Sequence, residues 1–145
     1  MPIPNTITRT VDLPHPQEKI WSAVTTLDGL TGWFGSQADG VIAPGEDVVV
    51  RWEQYDNGQR TLAIKVVDPM SVFAYCWGIS GAPAGDPRRT YVEFALEPTA
   101  AGTRLTVTES GFAQLPEEWL ESSYQGNVQG WGVELEELVA YLDAG

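Results

Sequence analysis

The stretch EEWLESSYQGNVQGWGVELEELVAYLDA, residues 117–144, decides the fold. Leu120, Tyr124, Val128, Trp131, Leu135, Leu138 and Leu142 recur at steps of three and four, which draws one apolar stripe along a predicted helix of about seven turns. The opposite face is expected to carry Glu121, Glu134, Glu136, Glu137 and Asp143, and no lysine or arginine follows Arg104. A helix of this kind gains its stability by burying its stripe, so the upstream chain must supply a broad apolar surface.

Upstream, that surface is written as alternation. TITRTVDL (6–13) sets Ile7, Arg9, Val11 and Leu13 against Thr8, Thr10 and Asp12, a strand with one intruding arginine. Pro14 and Pro16 end it, and PQEKIWSAVTTL (16–27) spaces Ile20, Trp21, Val24 and Leu27 as a short helix. DGLTGWFG (28–35) predicts a second, weaker helical turn, with Trp33 and Phe34 expected to cover one end of the sheet, either as core or as a lid hinged at Gly32 and Gly35. Strands follow, with Val48, Val50 and Trp52, then Leu62, Ile64 and Val66, then Phe73, Tyr75, Trp77 and Ile79 on the inward phase. Val92, Phe94 and Leu96, then Leu105 and Val107, continue the series. YDNG (55–58) predicts a hairpin turn, and GAPAGDPRR (81–89) a long loop. The order is strand, two short helices, five or six antiparallel strands, then the long helix: an α+β fold over residues 1–145, read as one domain.

Composition narrows the function classes. Twenty acidic and 8 basic side chains give a net charge of −12, which repels phosphate backbones and anionic membranes, so nucleic acid is not an expected partner. Cys76 is the single cysteine and His15 the single histidine, which leaves no disulfide and no thiolate or histidine metal site; no cofactor or metal is expected. No apolar run approaches the ~20 residues that span a bilayer, and no signal segment is visible, so the expectation is a cytoplasmic protein. His15 is expected in water between its two prolines, and Cys76 falls on the polar phase of its strand. No nucleophile–base pair is visible, which gives no support for an enzyme.

Four pieces, in order, resemble a known family: VDLPHPQEKIWSAVT (11–25), GWFG (32–35), GTRLTVTESGF (102–112) and the Gly130–Trp131 pair in the final helix. The chain resembles the START-like, Bet v 1-like (SRPBCC) superfamily, and within it the group related to the C-terminal domain of the Hsp90 ATPase activator. The resemblance implies a helix-grip fold, a curved antiparallel sheet of six or seven strands around the C-terminal helix, with an apolar cavity between them. It also implies a small hydrophobic ligand, and a monomer or weak homodimer. Alternatives are a stress-related or co-chaperone-like interaction module using the acidic helix face, or a cyclase- or hydrolase-type enzyme with Glu109 as acid or base.

The expected ligand-binding set is Trp33, Phe34, Trp52, Tyr75, Trp77, Phe94, Glu109, Tyr124, Val128 and Trp131. The aromatic members either fill a core or line a pocket, and the residues alone leave both readings open. Glu109 continues the inward phase of Leu105 and Val107, so it needs a partner; Arg9 is one candidate if the first and last strands pair. Gly126 and Gly130 weaken the helix, so they are expected to permit a bend or a close approach to the sheet.

Overall fold

The computed structural model describes residues 5–53, 58–79 and 86–144, and their side chains except those of 117–119. In chain order the elements are β1 (Thr6–Leu13), α1 (Gln17–Thr25), α2 (Leu27–Trp33), β2 (Gln37–Gly40), β3 (Asp47–Arg51) and β4 (Gln59–Asp68), followed by β5 (Val72–Gly78), β6 (Arg89–Thr99), β7 (Gly102–Ser110) and α3 (Glu117–Ala144). A single turn of 3₁₀ helix, Phe112–Gln114, links β7 to α3. The seven strands form one antiparallel sheet in the order β1-β7-β6-β5-β4-β3-β2. This is the expected α+β helix-grip architecture. The expected turn at 55–58 lies largely outside the described residues, as does most of the expected loop at 81–89.

Strand alternation and the helical stripe meet as the periodicities require. Val48, Val50, Leu62, Ile64, Phe73, Tyr75, Trp77, Val92, Phe94, Leu105 and Val107 are buried, and Trp131, Leu135, Leu138 and Leu142 of α3 are buried with them. Thr26 ends α1 and caps α2, its hydroxyl accepting from the Gly29 N–H at 2.9 Å. The two short helices pack on each other and on α3, closing one side of the sheet's inner face.

Several expectations fail for local reasons. β2 was not expected, because QADG has no apolar alternation; it is a short, largely exposed edge strand held by its register with β3. In β4 the register slips between Ile64 and Val66, a bulge that reverses the strand's phase. Val67, opposite Phe73, therefore packs on the core where Val66 was expected. Glu134 is not on the solvent face of α3: it is half-buried, with Oε2 shielded from water. His15 is likewise half-buried, its Nε2 2.8 Å from Asp143 Oδ1 beside the Lys19 ammonium, which donates to the Leu142 carbonyl at 2.6 Å. Added Cβ atoms at Gly126 and Gly130 would meet nothing within 4 Å, so these glycines do not bring α3 close to the sheet.

Candidate functional site

The interior between the sheet and α3 is aromatic with one charged centre. Register builds that centre. Glu109 of β7 lies opposite Val92 of β6, and Thr90, two residues along the same face, lies opposite Trp77 of β5. Thr90 is thus a diagonal neighbour of Glu109, and Trp77, one strand further on, reaches the same carboxylate with its indole N–H. On α3, Asn127 and Trp131 are one turn apart and face it from above.

All four close on Glu109, which is fully buried. Trp77 Nε1 donates to Oε2 at 2.8 Å and the Thr90 hydroxyl donates to the same oxygen at 2.5 Å. Trp131 Nε1 donates to Oε1 at 2.9 Å, and Asn127 Nδ2 reaches Oε1 and Oε2 at 2.9 and 3.0 Å. Two indole N–H groups cannot accept, so the cage complements an acceptor-only carboxylate. A carboxylate has about four lone-pair sites, and these donors occupy them. Glu109 therefore ties the sheet to α3 and has no lone pair left to abstract a substrate proton. Arg9 takes no part: it lies opposite Val107, one pair along from Ile7–Glu109 on that face, and is exposed.

Arg60 adds the opposite charge. Its guanidinium carbon sits 3.9 Å from the Trp77 ring centroid, and Nη2 donates to the Gly78 carbonyl at 3.1 Å. Trp77 is thus held between a cation on its face and an anion at its N–H. Burial lowers the Arg60 pKa, while Glu109 and Tyr75 oppose that shift.

The rings form a continuous wall. Phe34, delivered by the end of α2, lies near-parallel to Trp77 (6.1 Å, 15°) and to Trp131 (6.1 Å, 20°), with Trp52 edge-on at 5.1 Å. Tyr75 stands edge-on to Trp77 at 5.3 Å, and Phe94 edge-on to Trp131 at 5.8 Å. Trp33 lies tilted against Phe34 and Phe94 and donates from Nε1 to the Ala23 carbonyl at 2.8 Å. A Cβ at Gly32 would strike the Tyr141 ring at 2.2 Å, and one at Gly35 would strike Val50 Cγ1 at 2.4 Å. Both glycines let α2 and the turn after it sit close on α3 and β3. Tyr124 lies apart from this wall, edge-on to Phe112, with its hydroxyl 3.4 Å from the Thr6 carbonyl; Val128 is half-buried against the core.

Two polar atoms on this wall stay unbonded among the described residues: the Tyr75 hydroxyl and Glu134 Oε2. Burial raises the Tyr75 pKa well above 10, reinforced by Glu109 and Glu134 and opposed by Arg60. Burial first, then repulsion from Glu137, pushes Glu134 up to about 8, while a hydrogen bond from Trp52 works the other way. Thr90, Asn127, Arg60 and Glu134 were not singled out from sequence. Thr90 and Arg60 continue the period-two phases of Val92 and Leu62, and Asn127 and Glu134 flank Trp131 at helical spacing, so periodicity held a signal for each. Among the described residues no cluster of three histidine, cysteine, aspartate or glutamate side chains is placed to hold a metal ion, and no helix is long and apolar enough to cross a membrane.

The family model described as "Activator of Hsp90 ATPase homolog 1-like protein" matches residues 14–143. The chain belongs to this family. Solved structures from other organisms share the architecture just described. The structure of protein MLL2253 from Mesorhizobium loti superposes with a TM-score of 0.80 at 26% identity, over 96% of this chain and 97% of that one. Protein NE0264 from Nitrosomonas europaea gives 0.77 at 18% identity, with 99% of each chain covered. The Aha1 dimer from Colwellia psychrerythraea gives 0.76 at 21% identity, over 94% of this chain and 95% of that one. No curated protein matches the chain.

Proposed function

We propose that this domain binds a small, largely apolar aromatic molecule between the sheet and α3. The observation that carries the reading is the near-parallel cluster of Phe34, Trp77 and Trp131, whose ring centroids lie 5.8–6.1 Å apart. Phe34 comes from the segment after α2, outside the sheet–α3 pair, and its ring lies near-parallel beside both indoles, as a flat guest would. Offset stacking at this spacing contributes about 0.5–1.5 kcal/mol per pair beyond area burial. Arg60 over Trp77 and the donor cage on Glu109 hold both indoles in fixed orientations, so the binding surface is organised before a ligand arrives. Trp52 and Phe94 extend the wall.

Native mass spectrometry of the purified protein, before and after incubation with a set of planar aromatics, tests this reading. Non-covalent adducts that vanish on denaturation are expected. Absence of any adduct at ligand concentrations of about 100 μM, where even weak pocket ligands register, refutes it.

A second reading follows from the exposed carboxylates of α3, Glu121, Glu136, Glu137 and Asp143: an interaction module for a basic partner. Such a complex weakens with salt, because exposed charges are screened over about 8–10 Å at ordinary ionic strength. A partner recovered in pull-down and insensitive to salt argues against it.

A further inference from the structure

The Tyr75 hydroxyl and Glu134 Oε2 are the two buried polar atoms of the aromatic wall that bond to nothing among the described residues, including each other. Tyr75 is only 1% exposed, so water does not reach it from outside. Leaving such groups unbonded costs about 1–3 kcal/mol each, and a native fold retains that cost only for a reason. The two are joined by one face of the wall: Tyr75 abuts Trp77, Trp77 stacks on Phe34, Phe34 meets Trp52, and Trp52 bonds Glu134. Tyr75 also feels the charge of Glu134.

We propose that Tyr75 Oη and Glu134 Oε2 anchor the uncharged polar end, a carboxamide or hydroxyl group, of a planar aromatic ligand, and that the site rejects the corresponding carboxylate. The inference rests on the ligand-binding reading above and specifies its chemistry. A group that both donates and accepts satisfies a phenol and a carboxyl together. At neutral pH Glu134 is mostly protonated, so it offers a donor and an acceptor as Tyr75 does. The charged and titratable groups around the pair are Arg60 on β4, Glu109 on β7 and Glu137 on α3. Arg60 is engaged by Gly78 and Trp77 and balances Glu109. An incoming carboxylate would lose its hydration without a cation of its own, which costs several kcal/mol.

Equilibrium dialysis with naphthalene, 2-naphthamide and 2-naphthoate at about pH 7 tests this, because the amide and the acid have one shape and differ in charge. The expected order is amide over hydrocarbon by about tenfold, and amide over carboxylate by more than tenfold. Tyr75→Phe and Glu134→Leu are each expected to abolish the amide's advantage over naphthalene, and Glu134→Gln, which still donates and accepts, to retain it. Naphthalene bound as tightly as the amide means that a trapped water alone satisfies the two groups, and overturns this proposal while the ligand-binding reading stands. Naphthoate bound as tightly as the amide also overturns it. Unchanged amide preference in both Tyr75→Phe and Glu134→Leu does the same. If none of the three binds, the ligand-binding reading falls, and this proposal with it.

Discussion

Replacing Glu109 by glutamine changes one atom in shape and reverses half of the cage. The retained oxygen still accepts from two donors. The new amide places two hydrogens where Oε2 faced Trp77 Nε1 and the Thr90 hydroxyl. Thr90 can rotate and accept; the indole cannot, so an N–H faces an N–H in a site closed to water. One orphaned buried donor costs about 1–3 kcal/mol. The remaining bonds lose charge assistance, about 1 kcal/mol each. Relief from burying a charge offsets part of this. The net expectation is ~3 kcal/mol of lost stability, or roughly 10 °C in Tm for a chain of this size. Urea unfolding followed by tryptophan fluorescence measures it, with the m-value expected to stay unchanged. Trp77→Phe removes the opposing donor, so the double variant is expected to be about 1–2 kcal/mol more stable than the sum of the single changes predicts. Glu109→Gln within ~0.5 kcal/mol of the parent, or strict additivity in the double variant, refutes the cage as a charge-specific tie.

Three further outcomes follow from the same interior. Glu134 keeps its proton in the folded state up to about 8 but releases it near 4.5 when unfolded, so the native state binds more protons between those values and stability falls as pH rises through that window. At full burial the loss is about 5 kcal/mol, and solvent screening at a half-buried site leaves ~2; Glu134→Gln is expected to flatten the slope in pH-dependent urea melts, and an unchanged slope refutes the assignment. Gly130→Ala meets no atom within 4 Å and raises helix propensity, so chemical denaturation is expected to show about 1 kcal/mol of added stability, with a loss disproving an open position. Phe34→Ala removes a ring that is 3% exposed and is expected to cost about 3–5 kcal/mol, partly recovered as a thermal shift when naphthalene fills the vacated stack; no recovery counts against Phe34 marking the ligand's place.

Much of the container was legible in the chain. The helix at 117–144 and the inward phases of β3, β5, β6 and β7 follow from spacings of three to four and of two, which report the exposure of each residue's own element. That Glu109 lies inward and requires a partner was legible for the same reason. Who meets whom was not. Asn127 and Thr90 are 37 residues apart in the chain, yet both bond Glu109, because β6–β7 register and the seating of α3 bring them together. The Lys65 bulge turned Val67 inward against the strand's own alternation, and hydrogen-bond register, not side-chain pattern, set that phase. Glu134, at the edge of the apolar stripe, reads as solvated by its residue type; packing beside Trp52 took its oxygen out of water. Periodicity is a local property, written residue by residue. The partners of a buried charge are fixed by contacts between distant segments, which exist only once the chain has closed on itself.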